Sequence, residues 1–276
     1  IVNPARLVMA ISFHGRTLAT LTASGNRKVQ AGFEPLVQGV MRVPYKDLDA
    51  SHTVGAHSLT VVAILVVPIQ GEGGINIPDD DYLQGIRDLC DVNHWLMMLD
   101  EIQSGMGRTG KWFAWQHGDV LPDVATLAKA LGNGVPIGAC LARGRAAEMM
   151  QPGTHGSTFG GNPLACRAAI AVLEVLQQEQ LVDHAAALGA HLLTGFTAAL
   201  SGLEGVAAIR GRGLMIGIEL DRPCAELVAR AIEQGLLINV TAERVIRLLP
   251  PLITTVKQAD IIIEQVSDLI REFLAG

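Results

Sequence analysis

Residues 59–67, LTVVAILVV, form a continuous apolar and β-branched run without a charge, the pattern of a strand buried on both faces. The run stops at Pro68 and a turn through Gln70, Gly71, Glu72, Gly73 and Gly74. Over residues 80–93, Tyr82, Leu83, Ile86, Leu89 and Cys90 recur on one helical face, with acids in the first turn. A second short run, WLMML at residues 95–99, ends at Asp100 and Glu101. Strand, amphipathic helix and strand make a βαβ unit, whose strands are parallel and whose crossover is right-handed. An α/β fold follows, mostly a parallel sheet with helices on both faces. Ligands in such sheets sit beyond the carboxyl ends of the strands, where Gln70, Glu72, Asp100 and Gln103 fall.

The flanking chain extends that frame. Residues 7–12 (LVMAIS) read as a buried strand and 25–50 as loops with a short strand near 40–43. Residues 123–128 and 137–142 read as two more strands. A helix is expected from Pro163 to about residue 178 and another over 181–200. Glycines between 202 and 213 mark a change of style. Beyond them come a strand at 214–220, a helix at 225–234, strands near 236–240 and 245–249, and a last helix over 257–274. The expected division is therefore a large domain, 1–201, and a small C-terminal α+β domain, 202–276.

Within 124–142, VATLAKALGNGVPIGACLA, Lys129 is the only charged side chain. Such an amine either lies along apolar surface with its head in water or is chemically committed, as when it condenses with a carbonyl as a Schiff base. Asp100 ends the preceding strand, and a strand-end carboxylate in apolar surroundings needs a cation. A protonated pyridine nitrogen would serve, with Lys129 holding the same cofactor's aldehyde and then moving a substrate proton. A direct Asp100–Lys129 ion pair satisfies the two residues equally well, and these residues alone do not choose.

Other chemistries fit less well. A formal net charge of −6 disfavours a nucleic-acid or anionic-membrane surface, and no apolar run has the length of a membrane span. Cys90, Cys140, Cys166 and Cys224 are far apart, without metal-ribbon or disulfide spacing, which suits a reducing compartment. The first seventeen residues lack a basic region followed by an apolar one, and there is no initiator Met. Gly105-Met106-Gly107-Arg108-Thr109-Gly110 spells G-x-G-x-x-G, but a poor helix former, KWFAWQHG, follows it. The same stretch nearly spells a phosphate loop ending at Lys111, yet Trp112 stands where a hydroxyl must hold Mg²⁺. A tight structural loop explains these glycines better than an NTPase does.

Four segments, FHGRT at 13–17, PIQGEGG at 68–74, the long DEIQSGMGRTGKWFAWQHGDVLPDVATLAKALGNGVPIGACLA at 100–142 and HGSTFGGNPLACR at 155–167, carry a resemblance. Together they resemble the class III, fold type I, pyridoxal-phosphate aminotransferases, most closely those acting on acetylornithine or succinyl-diaminopimelate. The resemblance runs through essentially the whole chain. It implies pyridoxal 5'-phosphate as cofactor, Lys129 as the Schiff-base lysine, Asp100 as the pyridinium partner, Gln103 near the ring's phenolic oxygen and Phe13 stacked on the ring. It implies a homodimer with shared active sites, Thr158 reaching the neighbouring subunit's cofactor phosphate and Ser157 lying near substrate. Arg16 and Arg247 are implied as carboxylate-binding arginines and Glu72 as the acid that pairs with Arg247 when the other substrate is bound. Read without the resemblance, Glu72 is a turn acid and Arg247 a solvated strand residue.

The implied activity is transfer of the terminal amino group of N-acetylornithine to 2-oxoglutarate by a ping-pong double displacement, in cytoplasmic arginine biosynthesis. Ornithine, succinylornithine and γ-aminobutyrate are alternative donors, and a truncated, non-catalytic homologue is a rival of another class. Two departures accompany the resemblance. Relatives read EPIQGEGG where this chain has Val67-Pro68. They also carry a portion ahead of Ile1, with a Gly/Ser/Thr loop and helix N-terminus that cradle phosphate and a segment that lines the substrate site.

Overall fold

The computed structural model describes residues 3–276; Ile1 and Val2, where the expected N-terminal portion would join, lie outside the described residues. Its contacts divide the chain into two compact units.

The first unit comprises residues 1–70, 78–105 and 114–174. Its chain runs β1 (Ala5–Met9), α1 (Leu18–Ala23), α2 (Arg27–Gln30), β2 (Val40–Val43), α3 (Leu48–His57), β3 (Val61–Val66), α4 (Tyr82–Asn93), β4 (Leu96–Asp100), β5 (Val124–Leu127), β6 (Ala139–Ala142) and α5 (Gly144–Glu148). α6 (Pro163–Gln178) begins in this unit. The six strands lie in the order β2-β1-β3-β4-β5-β6. All neighbours are parallel except β5 and β6, which are antiparallel. Central β3, flanked on both sides, buries both faces as its β-branched run requires.

Register fixes what the strand ends present. Val66 pairs with Leu99 and Asp100 with Thr126, so the ends of β3, β4 and β5 stand side by side. α4 buries the apolar face read from the sequence and stops at His94, whose left-handed backbone (φ 58°) forms its C-cap. Within 25–50, expected as loops with a short strand, the chain forms α2 and begins α3. α3 illustrates the signal overlooked: Asp47 caps it by accepting the Ala50 N–H at 2.8 Å, but its polar sequence shows little apolar periodicity.

The second unit comprises residues 71–77, 106–113 and 175–276. It contains α7 (Leu181–Ala199), β7 (Val206–Arg212), β8 (Met215–Leu220), α8 (Leu227–Glu233), β9 (Asn239–Thr241), β10 (Val245–Leu248) and α9 (Val256–Ala275). An antiparallel sheet in the order β7-β8-β10-β9 packs Ile216, Ile218 and Ile246 against Leu188, Leu192 and Phe196 of α7 and Val266 and Ile270 of α9. α9 starts in a capping box in which Thr255 and Gln258 bond each other's backbone N–H. β7 falls in the Gly-marked stretch where no strand was expected. Residue 202, where the style of the sequence changes, lies inside this unit.

The G-x-G-x-x-G stretch is a packed loop. Gly110 has φ 81°, and a Cβ there would stand 2.8 Å from the Cα of Ala186 in α7. Arg108 is tied to the carbonyls of Pro250 and Leu214, and burial pulls its guanidinium down to about 10. The Gly107 and Gly110 N–H groups donate within the loop, to the carbonyls of Trp112 and Gly107. Among the described residues, no helix is long and apolar enough to cross a membrane.

Candidate active site

The first unit gathers its chemistry at the carboxyl ends of β1, β4 and β5. Asp100 closes β4, and its side chain is 7% exposed. One carboxylate oxygen accepts from the Ile102 N–H at 3.1 Å; the other lies 2.8 Å from Nδ1 of His14. Burying a carboxylate costs several kcal/mol unless donors replace its water, and these two begin to do so. His14 is held in turn: its backbone N–H donates to Ser24 Oγ at 2.9 Å, and Ser24 Oγ–H donates to the Thr20 carbonyl at 3.0 Å. His14 is a site residue that the sequence reading passed over. It stands inside FHGRT, but only the fold brings residues 86 positions apart into contact.

Phe13 is partly buried and Arg16 exposed, with the Arg16 guanidinium 5.6 Å from the Phe13 ring centre. Gln103 is partly buried in the turn after β4. Glu101, also passed over, is 1% exposed. It accepts from Ser104 Oγ at 2.6 Å and from the backbone N–H groups of Trp115 and Ala114. Burial pushes its carboxyl up to about 7, against the pull of those donors and with a further push from Asp100. It clasps the loop that carries Gln103.

Lys129 follows β5, beside the strand that ends at Asp100. It opens a 3₁₀ turn, Lys129–Leu131, with φ 43°, a left-handed conformation costing a non-glycine residue about 1 kcal/mol. The side chain is exposed, although the stretch around it is apolar. The reason lies in topology: β6 is an edge strand, so the apolar residues after Lys129 cover little within the chain. Ser157 and Thr158 stand exposed between α5 and α6, and Ser157 Oγ bonds within its own turn, to the Gly160 N–H at 2.9 Å.

The second unit brings together two further residues. Glu72 and Arg247, 175 positions apart, meet with Oε1 2.7 Å from Nη1. The Arg247 side chain is 10% exposed and that of Glu72 46%. Arg247 extends from β10 between β8 and β9. The segment bearing Glu72 is braced by Thr241 Oγ1, which donates to the Glu72 carbonyl, and by Arg210, which donates to the carbonyls of Gly74 and Ile75. Arg247 Nε is buried without a partner among the described residues, so one donor of the guanidinium stays uncommitted.

The donor set suits pyridoxal phosphate. A buried carboxylate at one strand end, a strained lysine at the next and an aromatic ring after a third match the group's ring nitrogen, aldehyde and flat face. Asp100, Lys129 and Phe13 would hold it. Among the described residues, no cluster of His, Cys, Asp and Glu could hold a metal ion.

Comparison with known proteins covers nearly the whole chain. The family Aminotransferase class-III matches residues 5–270. An acetylornithine aminotransferase of Nitrosomonas europaea is 57% identical over 271 residues, covering 98% of this chain and 69% of that protein. The ornithine aminotransferase of Toxoplasma gondii superposes with a TM-score of 0.94 at 35% identity, over 99% of this chain and 66% of that one. The acetylornithine aminotransferase of Elizabethkingia anophelis gives 0.84 at 36%, over 98% and 68%. The chain thus spans about two thirds of the length of each.

Proposed function

The chain belongs to the class-III aminotransferases, which are pyridoxal-phosphate enzymes, and from that premise we propose that it moves the terminal amino group of N-acetylornithine to 2-oxoglutarate. The donor follows the relatives: identity to an acetylornithine enzyme reaches 57%, against 35% for the ornithine enzyme. When bound, pyridoxal phosphate supplies an aldehyde to receive the amino group and a ring to accept electrons. Asp100 would hold the proton on the ring nitrogen, and Phe13 would pack on the ring. Lys129 Nζ would take a proton from the donor carbon that bears the amine and, in the second half-reaction, would deliver a proton to the acceptor carbon that receives the amine. Gln103 would lie near the ring, and Arg16 would take the carboxylate of the donor.

The observation that carries the acceptor assignment is the Glu72–Arg247 pair. Arg247 is fixed and nearly buried, whereas Glu72 is about half exposed and spends one hydrogen bond on it. An acceptor with two carboxylates can displace Glu72 and take the arginine; a donor with an uncharged tail leaves the pair closed. Arg247→Ala should cut the rate of the 2-oxoglutarate half-reaction at least a hundredfold, the value of a lost charge-assisted pair. It should change the amine-donor half-reaction by less than about threefold. Equal losses in both halves would reject the gate.

A homodimer accompanies this reading. Residues 141–173 expose Leu141, Met149, Phe159, Leu164, Ile170 and Leu173, with Phe159 82% and Leu164 76% accessible. Apolar exposure on that scale suits a protein partner. A second copy covering it brings Ser157 and Thr158 toward its own site and removes Lys129 from water.

A further inference from the structure

Three residues of the second unit stand in one row across its sheet. Gly217 of β8 is paired with Arg210 on β7 and with Arg247 on β10, and directly opposed residues of antiparallel strands share a face. That face is turned away from the one on which Ile216 and Ile218 pack against α7 and α9. The middle position of the row has no side chain. A Cβ on Gly217 would stand 3.0 Å from Ile75 Cβ and 3.1 Å from its Cγ1, so Ile75, 0% exposed, fills the lane between the two arginines.

The chain that carries Glu72 is thus laid on the sheet, and it is fastened there. It turns through left-handed backbone at Gly74 (φ 107°) and again at Ile75 (φ 52°), a costly conformation for a β-branched residue. Arg210 spans the turn: Nε donates to the Ile75 carbonyl at 2.9 Å and to the Gly74 carbonyl at 3.1 Å, and Nη2 donates to Gly74 as well. Its Nη1 lies 2.7 Å from Glu219, whose other oxygen is 2.9 Å from Arg244. A planar fork of donors serves two carbonyls and a carboxylate at once. Ahead of the turn, Thr241 of β9 donates to the Glu72 carbonyl.

We propose that Arg210 is a positioning residue that sets the discrimination between the two substrates, an inference that rests on reading Glu72–Arg247 as the gate. With the backbone of 72–75 anchored, opening is confined to the Glu72 side chain, and its carboxylate stays within reach of Arg247 whenever a dicarboxylate leaves. Releasing the anchor lets Glu72 drift and leaves Arg247 open. A dicarboxylate then has no internal rival to displace, while a donor with an uncharged tail faces an unpaired, nearly buried guanidinium. The two half-reactions move in opposite directions, which a general loss of structure does not produce.

The test compares the full chain with its Arg210→Met and Thr241→Val variants; Glu219 keeps Arg244 when Arg210 is replaced. With pyridoxal phosphate, the ratio of kcat/KM for 2-oxoglutarate to that for N-acetylornithine should rise about fivefold in Arg210→Met, the value of a partly exposed ion pair. Thr241→Val should move the ratio in the same direction. Because both constants scale with the amount of folded enzyme, the ratio cancels partial unfolding. Without cofactor, hydrogen exchange over residues 71–77 should quicken in both variants, while exchange over α7 stays at the wild-type rate. An unchanged ratio in Arg210→Met would overturn the proposal, and if that variant is inactive, Thr241→Val decides by the same ratio. Exchange over 71–77 that is unchanged, or that quickens only together with α7, would overturn it too. The gate reading fails separately, when Arg247→Ala slows both half-reactions equally; a selective Arg247→Ala with an unchanged Arg210→Met ratio rejects the anchor alone.

Discussion

Replacing Glu101 by glutamine should make the protein less sensitive to alkaline pH. Burial raises this carboxyl from 4.5 to about 7, whereas the unfolded chain releases its proton near the lower value. Between those limits the folded state holds one proton more than the unfolded state, so stability falls as pH rises through the interval and levels off above it. At about 1.4 kcal/mol per pH unit, the full loss is about 3 kcal/mol. About 2 kcal/mol of it falls between roughly pH 5.5 and 8.5.

Glutamine copies the protonated acid: its carbonyl accepts from the Trp115 and Ala114 N–H groups, and its amide donates to Ser104 Oγ, which turns from donor to acceptor. Urea unfolding followed by the fluorescence of buried Trp95 and Trp115 provides the assay. The stability of Glu101→Gln minus that of wild type should grow by about 2 kcal/mol from roughly pH 5.5 to 8.5. Differencing the two proteins cancels groups common to both. A gap that stays constant across that range would show that the donors around Glu101 outweigh its burial, and the reasoning would fail.

Three further outcomes follow from the same contacts. Lys129→Ala should abolish transamination and the covalent label that borohydride fixes in the wild type with pyridoxal phosphate, read by peptide mass; full activity in that variant would overturn the assignment of the lysine. Gly110→Ala should destabilise the second unit by about 1–3 kcal/mol, because the new Cβ meets Ala186 at 2.8 Å in a left-handed backbone; an unchanged urea midpoint would refute this. Phe159→Asp combined with Leu164→Asp should shift the protein from dimer to monomer in sedimentation while the far-ultraviolet circular dichroism is kept; an unaltered sedimentation profile would move the interface elsewhere.

Much of the frame was legible because its signals are local. The β-branched run of β3, the apolar face of α4 and the acid ending β4 all sit within 42 consecutive residues, 59–100, and state their structure by period and order. The residues that complete the site were less visible because their meaning is set by what stands opposite. His14 becomes a partner of Asp100 only when β1 and β4 are placed on either side of β3. Glu101 reads as a second strand-end acid until the loop closes and the N–H groups of Trp115 and Ala114 arrive at its carboxyl.

Lys129 marks the same boundary from the other side. Its apolar neighbours left open whether the amine is solvated or committed, because sequence composition does not say what covers an edge strand. Within one chain β6 is open on one side and the lysine is wet. A covered edge and a desolvated amine require the same event, the approach of another surface to residues 141–173. The strained backbone at Lys129 is already in place without it. The single chain therefore sets the direction of the lysine, while in the proposed dimer the partner sets its solvation. Any change that separates the subunits should weaken catalysis through Lys129 even where it leaves every bond of Asp100 intact.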